Sequence, residues 1–197
     1  MSKLFAFVLV CGMALASLGN AGEILSSVDA STLPKNKMTQ AGLYLSPADA
    51  HTALTNDQSI VFIDVRDPVE ISFVGHPKGV DAIVPLRIVT HEFKAKAGKY
   101  AAKNNPNFVK EVEAVVAREG GGKDTAIFFI CRSGSRSAAA GRMMIKAGYN
   151  NVWNLVEGFE GDMDKKTVTR SVNGWRNAGL PWTYKIPAKA GWSAPAN

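Results

Sequence analysis

Two short runs of consecutive apolar residues are the strongest feature of the hydrophobic pattern. One is Ile127-Phe128-Phe129-Ile130 and the other is Ile60-Val61-Phe62-Ile63. Such runs, rich in β-branched and aromatic residues, predict strands buried in a parallel sheet. A polar loop follows the first run, and residues 137–147, rich in Ala and Met, are predicted to form a helix. Because a loop between such a strand and its helix lies at the carboxyl edge of the sheet, we expect a ligand site there.

Weaker patterns predict the remaining elements. Ser46-Pro47-Ala48-Asp49 has the capping residues of a helix start, and apolar residues at helical spacing predict a core-facing helix between Pro106 and Gly120. Short strands are predicted at 42–45, 82–85 and 151–155. Strands alternating with helices indicate an α/β fold built on a small parallel sheet.

Two segments have less regular patterns. Residues 87–103 are polar and basic, and Phe93 and Tyr100 are the residues that we expect to anchor them. Residues 174–182 are predicted to form a terminal helix and turn.

The ends of the chain do not have the composition of a folded core. Lys3, an apolar run over 4–15 and small residues at 19–21 predict a secretory signal peptide over residues 1–21, cleaved after Ala21. The apolar run is too short to span a bilayer. We therefore expect an exported, periplasmic protein with an N-terminal arm over 22–44 and a loose tail over 186–197.

Charge and cysteine content narrow the function. The 197-residue chain has 23 Lys and Arg against 17 Asp and Glu, and removal of the leader takes away one Lys, which leaves a net charge of +5. This charge, spread along the chain, suits a small anionic substrate or an acidic partner. It lacks the clustered basic face that nucleic-acid binding requires, and we expect no membrane contact after cleavage.

Cleavage also leaves one of the two cysteines, because Cys11 lies in the leader. A lone thiol in an exported protein indicates a working group, since structural cysteines there usually form pairs. There is no CxxC motif. The three histidines are scattered along the chain, so we predict neither a metal nor another cofactor.

The remaining thiol, Cys131, is the first residue of the polar loop. At a helix N-terminus it would face unpaired backbone N–H groups and the positive end of the helix dipole, and Arg132 and Arg136 add positive charge. These effects favour a nucleophilic thiolate and an anion-binding loop. Gly134 permits the turn, and the hydroxyl groups could point inward or cap the helix; they belong to Ser133, Ser135 and Ser137. The alternative is an inert, buried cysteine at the end of a core strand.

A second group of polar residues follows the other predicted strand. Asp64 and Arg66 lie two residues apart and so point to the same face, and Glu70 follows on a short helix or turn. We favour a structural ion-pair role for these residues over direct chemistry. His76 is interpreted as a loop histidine that ties backbone together, with general-base catalysis as the alternative.

Several motifs, in this order, resemble a single rhodanese domain. They are Ile60–Arg66 with Glu70, Gly75-His76-Pro77-Lys78-Gly79, the loop from Cys131 to Ser137, Asn154-Leu155 with Gly158, and Trp175 with Ala178–Pro181. The resemblance implies a rhodanese-like domain over 45–185, with an insertion at about 88–124. The implied fold is a small parallel sheet flanked by helices on both faces.

The same resemblance implies a thiosulfate sulfurtransferase. Cys131 would attack the outer sulfur of thiosulfate, hold it as a persulfide and pass it to a thiophilic acceptor such as cyanide or a thiol. The N–H groups from Arg132 to Ser137 would form the cradle, and Arg132 and Arg136 would bind the sulfonate. This requires a Cys131 side chain that solvent can reach and loop N–H groups directed at it.

Two other functions stay open. Four residues separate Cys131 from Arg136, whereas related phosphatases have five, so a phosphatase-like hydrolase is the less favoured enzyme. A non-catalytic persulfide carrier in periplasmic sulfur metabolism, acting on a protein acceptor, is the second alternative.

Overall fold

The two apolar runs lie side by side at the centre of one parallel sheet, with Phe62 opposite Phe128 and Ile63 opposite Phe129. The computed structural model describes residues 23–194. Its strands, in chain order, are β1 (Tyr44–Leu45), β2 (Val61–Asp64), β3 (His76–Pro77), β4 (Ala82–Ile83), β5 (Arg87–Lys94), β6 (Lys99–Asn104), β7 (Ile127–Ile130), β8 (Val152–Leu155), β9 (Met163–Asp164), β10 (Thr169–Arg170) and β11 (Trp182–Thr183). The helices are α1 (Pro47–Asn56), α2 (Pro68–Val74), α3 (Phe108–Arg118) and α4 (Ser135–Lys146).

Five of the strands form the central sheet in the order β1-β8-β7-β2-β4, and every neighbouring pair is parallel. Each residue of β2 and β7 is buried, as expected of strands covered on both faces. One face packs against α3 and α4, with Val112 and Met144 in its core. The other packs against α1, Phe159 and Trp175. The predicted α/β fold, with helices on both faces of a small parallel sheet, is therefore confirmed.

The helix starts follow from local sequence. At α1 the Ser46 hydroxyl accepts a hydrogen bond from the Asp49 N–H group, and the Asp49 carboxylate accepts one from the Ser46 N–H group. Pro47 occupies the first turn, where no N–H group is needed.

The other described strands form three small antiparallel sheets of two strands each. They pair β3 with β11, β5 with β6, and β9 with β10.

The segment predicted to be an insertion forms the β5–β6 hairpin and then α3. Phe93 and Tyr100 do not anchor it, because their side chains are 59% and 58% exposed and their rings contact each other instead. The physical reason is that β5 and β6 pair only with each other among the described strands, so both faces of the hairpin tip are in solvent. Residues 91–100 are all exposed.

The C-terminal segment also differs from the expectation. Residues 174–181 form turns rather than a helix, because Gly174 and Gly179 have φ values of 103° and 71°. Beyond them, the tail that we expected to be loose packs on the domain as far as it is described. Ala190 is buried, and the indole N–H group of Trp192 donates to Glu111 at 3.0 Å.

The arm at the start of the described chain is tied to the sheet. Lys37 is buried and pairs with Asp162, and its carbonyl oxygen accepts a hydrogen bond from the Asn154 side chain at 2.8 Å. The predicted leader, residues 1–21, lies outside the described residues. Between residues 23 and 194, none of the helices combines the length and apolar character needed to cross a bilayer.

Candidate active site

The polar loop lies where the sequence predicts it, at the carboxyl edge of the sheet between β7 and α4. Cys131 directly follows β7, and α4 begins at Ser135 after Gly134. Gly134 has φ 91° and ψ −19°. A Cβ atom there would lie 2.1 Å from the carbonyl oxygen of Val156, so the backbone approach leaves room only for glycine.

Two groups hold the Cys131 sulfur by hydrogen bonds. The Gly134 N–H group donates to Sγ at 3.2 Å, and the Ser137 hydroxyl group donates to it at 3.3 Å. Within the described chain, Gly134 is the one loop residue whose N–H group points at Sγ. The cradle at this sulfur is therefore narrower than the full set of N–H groups from Arg132 to Ser137 that we expected.

The first turn of α4 supplies further donors beside this sulfur. The N–H groups of Ser135, Arg136 and Ser137 have no acceptor among the residues that the structure describes. Unpaired N–H groups and a positive dipole end are the usual state of a helix N-terminus, and α4 is 12 residues long. An anionic group added to the cysteine could accept hydrogen bonds from them.

The Cys131 residue is only 1% exposed, which differs from the accessible thiol that the sequence hypothesis requires. It packs in the same apolar cluster as Val65 and Ala140. Ser137 covers it from α4 and is itself fully buried. In this arrangement Cys131 has almost no contact with solvent.

Both loop arginines are paired with carboxylates. The Arg136 guanidinium forms two hydrogen bonds with Glu70, one of them 2.7 Å long, and Arg132 Nε donates to Glu160 at 2.9 Å. Burial alone would raise the pKa of the Glu70 carboxyl, but the hydrogen bonds and charge of Arg136 hold this pKa below its usual value. Burial likewise opposes the charged form of Arg136, yet Glu70 outweighs it and raises the pKa of that guanidinium.

Asp64 and Arg66 form a separate, fully buried ion pair near the loop. The Arg66 side chain donates to both Asp64 oxygens, with a shortest contact of 2.6 Å, and to the Gly75 carbonyl oxygen at 2.8 Å. Its guanidinium carbon lies 4.4 Å from the centre of the Phe159 ring. Glu70 also forms an ion pair, but its partner is Arg136 rather than Arg66, which places Glu70 at the cysteine loop.

His76 is buried in the short β3–β11 sheet, and its ring nitrogens contact backbone carbonyl oxygens rather than Sγ. Its Nδ1 lies 2.8 Å from the Pro77 carbonyl oxygen, and Nε2 lies 3.3 Å from that of Lys185. These backbone contacts are those of a histidine that ties loops together. In the described part of the chain, no cluster of three or more His, Cys, Asp or Glu residues could hold a metal ion.

Comparison with known proteins decides the family. The model of the rhodanese-like domain matches residues 46–165, which is more than half of the chain. The chain belongs to the rhodanese-like domain family. The match agrees with the resemblance inferred from the motifs and includes the whole cysteine loop.

Three relatives of this rhodanese-like chain are moderately similar to it in sequence. An uncharacterized protein of Rickettsia prowazekii, RP600, is 30% identical over 135 residues, which are 68% of this chain and 92% of that protein. The crystal structure of Rv0390 from M. tuberculosis has a TM-score of 0.57 and 30% identity, covering 72% of this chain and 97% of the other. The polysulfide-sulfur transferase homodimer of Wolinella succinogenes is 25% identical and covers 72% and 77%, but its TM-score of 0.43 supports no argument about function.

The sequence indicates a turn at 158–161, but sequence reasoning missed that this turn bonds the cysteine loop in this rhodanese-like domain. The N–H groups of Phe159 and Glu160 donate to the carbonyl oxygens of Cys131 and Arg132 at 2.8 and 3.0 Å. A Cβ atom on Gly158 would lie 2.5 Å from the Ser133 nitrogen. The segment 156–161 therefore fixes the loop, and the glycine at 158 was the one visible indication of so close an approach.

Proposed function

We propose that this protein is a sulfurtransferase that carries sulfane sulfur as a persulfide on Cys131. One observation carries the proposal. Sγ lies at the carboxyl end of β7, accepts a hydrogen bond from the Gly134 N–H group, and adjoins the unpaired N–H groups at the start of α4. Membership of the rhodanese-like family supports a transferase of sulfur in general terms. The choice of Cys131 as nucleophile and of thiosulfate as donor is our proposal.

The reaction balances without a cofactor or an oxidant. The Cys131 thiolate attacks the outer sulfur of thiosulfate, the bond between the two thiosulfate sulfurs breaks, and sulfite leaves with its electron pair. The acceptor, cyanide or a thiolate, then attacks the outer sulfur of the persulfide and restores the thiolate. The Gly134 N–H group and the unpaired N–H groups of the first turn of α4 favour both the thiolate and the persulfide anion, because they are hydrogen-bond donors at the positive end of the helix dipole.

The paired arginines define how a donor would enter. A sulfonate that binds Arg136 has to compete with Glu70, and one that binds Arg132 has to compete with Glu160. We propose that exchange of these carboxylates for the donor opens the loop and exposes Sγ. Donor binding and cysteine exposure are then coupled, since both require the same ion pairs to separate.

The test is sulfur transfer from thiosulfate to cyanide, followed by intact-mass measurement of the protein. We expect thiocyanate and, with thiosulfate alone, a mass increase of one sulfur atom; Cys131→Ser should show neither. Equal thiocyanate formation by both proteins would remove Cys131 from the mechanism. Turnover of an aryl phosphate without sulfur transfer would favour the phosphatase-like alternative instead.

The burial of Cys131 gives the carrier alternative a specific basis. A thiol that is 1% exposed reacts slowly with small molecules unless a partner opens the loop. A stable one-sulfur adduct with negligible transfer to cyanide or small thiols would favour a carrier that serves a protein acceptor. We propose that either activity resides in the periplasm, and fractionation of cells that produce the full chain would test this location.

A further inference from the structure

The tip of the β5–β6 hairpin is an exposed aromatic and basic projection. All residues from 91 to 100 are exposed, and Phe93 and Tyr100 are paired across the two strands next to the turn. Their ring centres are 5.6 Å apart in an edge-to-face arrangement. Two large aromatic side chains that are more than half exposed and in contact with each other form a patch typical of binding surfaces.

Positive charge is concentrated on the same hairpin. Residues 87–104 contain five cations and one carboxylate, so these 18 residues carry a net charge of +4 out of +6 for the whole chain. The cations are Arg87, Lys94, Lys96, Lys99 and Lys103, and the carboxylate is Glu92. Glu92 pairs with Lys94. The expectation of charge spread along the chain is thus incorrect for this element.

We propose that the hairpin tip docks on an anionic phospholipid surface, with the two aromatic rings among the headgroups and the lysines at the phosphates. Aromatic rings prefer the polar boundary of a bilayer, and basic residues near it are attracted to anionic lipid. Both rings lie on a protruding tip rather than in a concave surface. This shape suits a planar headgroup layer better than it suits an acidic protein or a nucleic acid.

The position of the hairpin gives the docking a direction. β5 begins just beyond the carboxyl end of β4, at the same edge of the sheet as Cys131. The Val89 N–H group donates to the Asp67 carboxylate at 2.7 Å, and Asp67 caps α2, the helix that carries Glu70. Docking would therefore hold the cysteine edge of the domain close to the membrane. The proposal does not depend on sulfur transfer, and it replaces our expectation of no membrane contact.

The experiment is co-sedimentation of the protein with lipid vesicles. The protein is purified from the periplasm of a host and its mass is measured, so that an uncleaved apolar leader does not contribute. The probes are vesicles of phosphatidylcholine alone and vesicles with roughly one-third phosphatidylglycerol, at about 0.1 M salt. We expect binding to the anionic vesicles, and binding to the neutral vesicles that is at least about tenfold weaker.

Variants separate the contributions of charge and rings. Lys96→Gln with Lys99→Gln should weaken binding about 25-fold, at about fivefold for each lysine near the surface. Phe93→Ser with Tyr100→Ser should weaken it at least about tenfold. Tyr184→Ser is the matched control, because Tyr184 is also 58% exposed but lies outside the hairpin, and this variant should bind like the unchanged protein.

Three results would overturn the proposal. One is equal binding to neutral and anionic vesicles, and another is anionic binding that neither pair of hairpin substitutions weakens. The third is binding to polyglutamate as tight as to vesicles and equally sensitive to the hairpin variants, which would indicate an acidic protein partner. Phe93, Lys96, Lys99 and Tyr100 are all exposed, so we expect both double variants to fold. Should the aromatic variant fail to fold, the lysine variant alone tests the proposal.

Discussion

Gly134 should tolerate alanine far less well than a glycine with nearly the same φ angle elsewhere in the chain. Gly134 and Gly148 have φ values of 91° and 90°. A Cβ atom at Gly148 would have no neighbour within 4 Å, whereas one at Gly134 would lie 2.1 Å from the Val156 carbonyl oxygen. The pair therefore separates the cost of positive φ from the cost of the collision.

The expected sizes follow from these two terms. Positive φ costs a non-glycine residue about 1–2 kcal/mol at either position. The collision adds about 1–3 kcal/mol, because the neighbour is backbone and the Val156 N–H group is bonded to the Leu45 carbonyl oxygen in the sheet. We expect Gly134→Ala to lose about 2–5 kcal/mol and Gly148→Ala to lose about 1–2 kcal/mol of unfolding free energy.

Urea unfolding, with the slope checked for constancy, measures both losses. Sulfur transfer from thiosulfate should fall in Gly134→Ala beyond the change in folded fraction, because the Gly134 N–H group that bonds Sγ moves with the loop. Gly148→Ala, at the far end of α4, should keep its activity. Equal free-energy losses in the two variants would refute the reasoning, since they would mean that the segment at Val156 yields without cost.

Two further substitutions test the contacts around the loop. Glu70→Gln should lower unfolding free energy at neutral pH by about 1–3 kcal/mol, because a charged hydrogen-bond partner of Arg136 is lost. Since the pKa of Glu70 is below its ordinary 4.5 in the folded protein, this contribution is fully present above about pH 4.5 and is lost as the pH falls from there through the lower pKa of the folded state. The unfolding free energies of Glu70→Gln and the unchanged protein, measured by urea titration, should therefore converge in acid. A difference that stays constant with pH would contradict the pairing of Glu70 with Arg136. Ser137→Ala should slow persulfide formation about tenfold through its lost bond to Sγ. Ser26→Ala, which removes a serine bond to the Tyr44 carbonyl oxygen in β1, two strands away from β7, should not; equal rates in both variants would exclude this role.

The sheet and the place of the loop were predictable because they depend on local pattern. Unbroken apolar runs at Phe62 and Phe128 are typical of strands covered on both faces, and the change to helical spacing after Cys131 indicates the turn. The partners of the loop arginines were not predictable. Arg132 binds Glu160 and Arg136 binds Glu70, at separations of 28 and 66 residues, and no spacing rule relates positions so far apart.

The sequence left the burial of Cys131 open, as the alternative to an accessible thiol. The accessibility of a cysteine at the start of a polar loop depends on how closely Ser137 and neighbouring apolar side chains pack around it, and no local pattern gives that packing. The β5–β6 hairpin was not predicted because it has little packing to mark it in the sequence. Its strands pair with each other without an apolar face, so the alternation that marks a half-buried strand is weak around Phe93 and Tyr100.

The hydrogen bonds between the cysteine loop and the turn at 156–161 bear on protein engineering. A heptapeptide copied from 131–137 into another parallel-sheet scaffold would bring the thiol and both guanidinium groups. It would not bring the donors that hold the carbonyl oxygens of Cys131 and Arg132, or the glycine at 158 that lets the chains approach. A functional graft would need both segments, transplanted together in their native spacing.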